Sequence, residues 1–214
     1  MEEEGHAILA YTFTKQVDMM VATEVPIVLA SSSPRRQELL RGLGLPFTIQ
    51  PSAADETVED NVTPARYVEI LAQRKAQAVG RIQAQRTLVI GSDTVVVLDD
   101  NILGKPADEE EAFRMLTCLQ GREHTVYTGV CVLDTAGKER TGHVATRVFI
   151  RPLSEERIRS YIATGEPMDK AGSYAIQGYG ATFVSRMEGD YFAVVGLPLH
   201  LLSDFLEEFG VQLF

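Results

Sequence analysis

One stretch limits what this chain can fold into more than any other. Thr87–Leu98 reads T-L-V-I-G-S-D-T-V-V-V-L, an apolar run with Gly91-Ser92-Asp93-Thr94 set into it. Residues this apolar and β-branched form a strand that must be covered. An acid in the middle of such a strand is costly to bury unless it has a partner or a task. Asp93 is therefore either a working carboxylate, serving a metal ion or a reacting water, or a solvent-facing residue on an edge strand. The polar quartet is expected to interrupt the strand. Gly104-Lys105-Pro106 follows within a hairpin's length, near enough to return a lysine to that carboxylate.

The surrounding pattern alternates strands and helices. Ile27–Ala30 reads as a short buried strand, and Arg35–Leu43 as a helix with Ser33 as its cap and Pro34 at its first position. Phe47–Ile49 reads as a strand and Ala53–Asn61 as an acidic loop. Thr63-Pro64 opens a helix running to about Gln83. Asp99–Asn101 is a turn into Ile102-Leu103, and Asp108–Leu119 a helix with acids in its first turn. His124–Leu133 and His143–Ile150 form a hairpin, and Ser154–Ala163 a capped helix. Phe183–Val195, broken at Glu188-Gly189-Asp190, reads as another hairpin, and Leu199–Phe209 as an amphipathic helix. Mixed hairpins and helices predict an α/β fold on a mixed sheet. Residues 1–25 lack clean periodicity and are expected to be a poorly ordered leader. Residues 26–214 are expected to form a single domain.

Charge narrows the partners. The 214 residues carry 20 Lys and Arg against 30 Asp and Glu, a net charge of −10. Such a chain lacks the basic field that holds nucleic-acid polymers or docks on anionic membranes. No apolar run reaches membrane-spanning length, and the N-terminus is acidic where a signal peptide is basic, so a cytoplasmic protein is expected. The four histidines are scattered without zinc-ligand spacing. The two cysteines, Cys118 and Cys131, read as small buried hydrophobes.

Two further stretches bear chemistry. Ser31-Ser32-Ser33-Pro34-Arg35-Arg36 places hydroxyls and two arginines where a strand meets a helix N-terminus. Free N–H groups and guanidinium forks suit phosphate there, although a capped helix with surface arginines has the same local pattern. No P-loop and no G-x-G-x-x-G after a strand is present, so neither a Walker site nor a Rossmann site is expected. Glu166–Gly178 mixes charges, glycines and the amide of Gln177, which can both donate to and accept from a base edge. A loop closed by Asp169–Lys170 or Glu166–Lys170 surface pairs would look the same.

Together these segments resemble the Maf family of nucleoside triphosphate pyrophosphatases. The matching pieces are L-A-S-S-S-P-R-R-Q-E-L-L, D-E-T, G-S-D-T-V-V, L-G-K-P, G-R-E-H-T-V-Y-T-G-V, E-P-M-D-K-A-G-S-Y-A-I-Q-G and G-D-Y-F-A-V-V-G-L-P-L, spread over about Ile27–Phe209. The resemblance implies an elongated mixed sheet with flanking helices and two lobes around a central cleft, as in inosine triphosphate pyrophosphatases. It implies hydrolysis of a nucleoside triphosphate between the α- and β-phosphates with a divalent cation, Mg²⁺ or Mn²⁺. Arg35, Thr94 and Gln177 match the branch acting on dTTP and UTP, canonical or modified. The alternatives are a relative with another base preference such as 7-methyl-GTP, or a non-catalytic nucleotide-binding regulator of septation. By the same resemblance, Ser31, Ser33, Arg35 and Arg36 would cradle the triphosphate, and Lys75 and Lys105 would add charge. Glu56 and Asp93 would hold the metal, with Asp93 also the proton acceptor. Thr94, Asp169, Lys170 and Gln177 would complete substrate binding. A homodimer is left open.

Overall fold

The computed structural model describes residues 23–58 and 62–214. The leader expected over residues 1–25 lies almost wholly outside the described residues, as does the end of the acidic loop. Seven strands among the described residues make one sheet in the order β2-β1-β3-β5-β6-β7, with β4 also on β3. They are β1 (Ile27–Leu29), β2 (Thr48–Ile49), β3 (Leu88–Leu98), β4 (Asn101–Leu103), β5 (Glu123–Asp134), β6 (Glu139–Ile150) and β7 (Val184–Glu188). β1 runs parallel to β2 and β3, and every other pairing is antiparallel. The helices are α1 (Pro34–Gly42), α2 (Pro64–Gly80), α3 (Glu109–Leu119), α4 (Glu155–Ile162), α5 (Tyr191–Val195) and α6 (Leu199–Glu208). Three short 3-10 turns lie between α4 and β7. No helix among the described residues is long and apolar enough to cross a membrane.

β3 is the axis of the fold, and the polar quartet does not interrupt it. The strand runs unbroken from Leu88 to Leu98, because β5 pairs with it from Leu88 through Val97 and satisfies its backbone groups. What the quartet interrupts is the core. Side chains alternate across a strand. On one face, Leu88 and Ile90 join a cluster with Leu29, Leu40, Val132 and Leu202, while Val96 and Leu98 join another with Leu116, Val126 and Ile158. Ser92 and Thr94 stand between the two clusters on that face, so one continuous strand carries two separate cores.

The other edge of β3 is broken in the same place. β1 pairs with residues 88–90 and β4 with residues 96–98, which leaves 91–95 without a strand partner on that side. Asp93 thus lies where one side of the central strand is open, and the alternative of a solvent-facing residue on an edge strand is not met. The side chain is not solvent-facing, since Asp93 is only 8% exposed.

α2 covers the opposite face, and two glycines let it lie close. A Cβ on Gly91 would stand 2.1 Å from the Ala72 carbonyl oxygen, and one on Gly129 would stand 2.3 Å from that of Val68. Any larger residue would push the helix away. Gly129 is the register partner of Asp93. The close approach therefore occurs beside the acid.

Two local readings are corrected. Phe183–Val195 is not a hairpin: β7 is followed by the short helix α5, because the Asp190 side chain accepts the Phe192 N–H and starts a helical turn. Cys118 is exposed, whereas Cys131 is buried, with burial pushing its thiol up to about 12.

Candidate active site

A cleft of about 660 Å³ opens where the two cores part, and its walls come from β1–α1, α2, the middle of β3 and the turns after α4. Ser31, Ser33, Arg35, Arg36, Glu56, Lys75, Asp93, Thr94, Lys105, Asp169, Lys170 and Gln177, the residues singled out in the sequence, all line it.

The α2 wall is built by helical spacing. Tyr67, Leu71 and Lys75 recur every fourth residue and face the cleft together. With α2 held close by Gly91 and Gly129, Lys75 Nζ reaches Asp93 Oδ1 at 2.6 Å and Glu56 Oε1 at 2.8 Å. The hydrogen bond from Lys75 holds the Glu56 carboxyl below its ordinary range against the opposing effect of burial, with Lys105 and Arg36 adding to the same field. Burial, then the negative charges of Asp93 and Glu56, push the Tyr67 phenol up. Tyr67 was not among the residues singled out in the sequence. Its spacing from Lys75, two helical turns, was the available signal.

On the opposite face of β3, Arg36 is a brace. Its Nε donates to the Gly196 carbonyl at 2.7 Å, one terminal nitrogen to Thr94 Oγ1 at 3.1 Å and the other to Ser31 Oγ at 3.4 Å. Ser92 donates to the same carbonyl at 2.9 Å, and Thr128 donates to the Ala193 carbonyl at 2.7 Å. The polar residues that divide the core thus tie the β1–α1 turn to the α5 segment. Thr128 and Gly196 belong to this network; both lie within the motif segments quoted above, but no role attached to them there. Burial draws the Arg36 guanidinium down from its ordinary value, opposed chiefly by Asp93.

Ser33 occupies the N-cap position of α1, but its side chain makes no capping bond. Its own N–H donates instead to Ser31 Oγ at 3.2 Å. Arg35 projects from the first turn of α1 toward Asp169 at 3.7 Å, spanning from one wall of the cleft to the other. Lys170 donates to the Glu166 carbonyl at 2.8 Å and pairs with Asp169.

The donor set suits a hard divalent cation. Two carboxylate oxygens already converge on the single positive charge of Lys75 Nζ, and oxygen ligands are those preferred by Mg²⁺ and Mn²⁺. No group of three or more His, Cys, Asp or Glu among the described residues could hold a metal. Glu56 and Asp93 would therefore share such an ion with phosphate oxygens and water, the usual mode for Mg²⁺.

A family model described as Maf-like protein matches residues 26–209. A dTTP/UTP pyrophosphatase of Pelotomaculum thermopropionicum is 57% identical over 185 residues, covering 86% of this chain and 96% of that protein. A dTTP/UTP pyrophosphatase of Moorella thermoacetica is 54% identical over 187 residues, covering 87% of this chain and 96% of that protein. Among solved structures, the Ham1 protein of Staphylococcus aureus aligns with a TM-score of 0.45 and 13% identity, over 74% of this chain and 79% of that one.

Proposed function

The chain belongs to the family of Maf-like proteins, and from that premise we propose that it is a nucleoside triphosphate pyrophosphatase that hydrolyses dTTP and UTP. Water attacks phosphorus, the anhydride bond between the α- and β-phosphates breaks, and the products are the nucleoside monophosphate and pyrophosphate. The single observation that carries this reading is the convergence of Asp93 and Glu56 on Lys75, in a cleft that also collects Arg35 and Lys105.

Asp93 is the proton acceptor. Its carboxylate sits on a strand fixed along its length by β5, so its position needs no reorganisation when water arrives. Lys75 orients the carboxylate through the 2.6 Å contact with Oδ1. Arg35, Lys105 and the hydroxyls of Ser31 and Ser33 hold the triphosphate at the N-terminus of α1, where the helix dipole also favours negative charge. A bound divalent cation, held by Glu56 and Asp93, would supply Lewis-acid stabilisation of charge on the phosphoryl oxygens. Asp169 and Lys170 line the far wall. Gln177, which also lines the cleft, reads the base edge, while Thr94 holds Arg36 in place by accepting its terminal N–H.

A panel of dTTP, UTP, dCTP, dATP, dGTP and 7-methyl-GTP with Mg²⁺ or Mn²⁺, read as pyrophosphate release, tests the reading. The expected result is a lead in kcat/KM for dTTP and UTP. Equal rates for all bases, or release of orthophosphate alone, would overturn it.

A further inference from the structure

The segment that carries Gln177 is wrapped around one carboxylate. Glu166 Oε1 accepts the Tyr161 hydroxyl and the Gly180 N–H, both at 2.9 Å, and Oε2 accepts the Tyr179 N–H at 3.0 Å. The same Tyr161 oxygen accepts the Ala175 N–H at 3.2 Å. The backbone is thus fixed two residues before Gln177 and two and three residues after it, by a single acid and the phenol bonded to it. The wrap is tight. Gly178 has a φ of +66°, and a Cβ there would stand 2.4 Å from Glu166 Oε2. A Cβ on Gly180 would meet the Tyr161 hydroxyl at 2.8 Å.

Tyr161 belongs to α4, which packs in the core holding Leu116 and Phe183, and its ring stands edge-on to Phe183 with centroids 4.8 Å apart. The tether is therefore anchored in the interior of one lobe while its free end faces the cleft. The three N–H and O–H groups that Glu166 accepts keep its carboxyl ionised, against the opposing effect of burial.

We propose that Glu166, acting with Tyr161, is a positioning residue for base selection: it sets the backbone on both sides of Gln177 so that the amide meets the base edge at a fixed place. This inference rests on the dTTP and UTP reading and on Gln177 as its base reader. Glu166 itself is not among the residues that line the cleft, so its effect falls on how the base is held, not on the chemical step. A carboxylate is required because all three donors point at it. Glutamine at this position offers one acceptor oxygen and turns an N–H toward a donor.

The test is steady-state kinetics of Glu166→Gln and Tyr161→Phe on dTTP, UTP and dATP, with the thermal midpoint of each variant. The expected result for Glu166→Gln is a KM for dTTP and UTP raised about tenfold, with kcat within about twofold and kcat/KM for dATP little changed. Tyr161→Phe keeps the carboxylate and removes the bonds to Ala175 and Glu166, so it should show the same pattern, smaller. It also keeps the question open to measurement if Glu166→Gln fails to fold. Loss of kcat on all three nucleotides in equal proportion would overturn the proposal, as would unchanged selectivity in both folded variants. If the wild-type protein itself shows no preference for dTTP and UTP, the base reading fails first. If the wild type selects and the variants select equally well, only the role of Glu166 fails.

Discussion

Lys75 Nζ lies 2.6 Å from Asp93 Oδ1, closer than to Glu56 Oε1, and this pair joins α2 to the central strand in the wall of the cleft. Both side chains are largely covered, which makes the contact more than a surface ion pair. The lysine holds the acid of a largely apolar strand in one orientation.

Asp93→Asn should therefore remove the proton acceptor without unfolding the chain. The asparagine is isosteric and still meets Lys75 through its carbonyl oxygen. Pyrophosphate release from dTTP should fall about 10²–10⁴-fold in kcat, with a thermal midpoint near the wild type's. Turnover near wild type in the purified, folded variant would remove Asp93 from the chemistry.

Gly129→Ala should lower both stability and activity. The added Cβ would stand 2.3 Å from a backbone oxygen of α2, so the helix must shift. Overpacking of this kind costs about 1–3 kcal/mol, measurable by urea denaturation. Because Lys75 rides on the same helix, kcat/KM should fall beyond what the unfolded fraction explains. Full activity at reduced stability would separate the glycine from the catalytic geometry.

Arg36→Lys keeps the charge but cannot reach Gly196, Thr94 and Ser31 together. It should lose about 1–2 kcal/mol of stability, again by denaturation. If Arg36 acted as a free phosphate hand rather than as a brace, the substitution would raise KM and leave the denaturation midpoint unchanged.

His124 gives the protein an acid-side instability. Its Nε2 lies 2.7 Å from the Tyr174 hydroxyl, its Nδ1 is buried without a partner, and burial pushes its pKa down to about 4. The unfolded chain takes up the proton near pH 6.5, whereas the folded chain does so only near pH 4. The stabilising contribution is complete above pH 6.5 and is lost as the pH falls toward 4, about 3 kcal/mol in all. Unfolding free energies of wild type and His124→Gln, measured from pH 7.5 to 4, should converge by that amount. Parallel curves would place the acid sensitivity elsewhere.

Much of this geometry was legible in the sequence because its signals are local. Cap-plus-proline marked the start of α2, where Thr63 does accept the Arg66 N–H. The polar quartet in an apolar strand marked Asp93, and the helix-start motif marked Arg35 and Arg36. The ordered motifs then joined these distant pieces into one site. The quartet's effect on the strand was misread because backbone continuity depends on β5, a partner more than twenty residues away in the chain. Thr128, Gly129, Gly196 and Glu166 lie within the matching segments, but nothing local in the sequence showed what they do. Each works through a contact between segments, and a glycine's value lies in what approaches it. The α5 segment read as a strand because Tyr191–Val195 is aromatic and β-branched. One capping bond from Asp190 outweighed that preference.

The division of the core along β3 also governs how the molecule can move. β3 and β5 pass through both halves without a break, so the halves share a common spine instead of a linker. A hinge needs a few residues that absorb large changes in φ and ψ, and ladder-paired strands do not offer them. Nucleotide therefore enters a groove that is already shaped. Capture depends on side chains and the short turns after α4, and small-angle scattering profiles with and without nucleotide should superimpose.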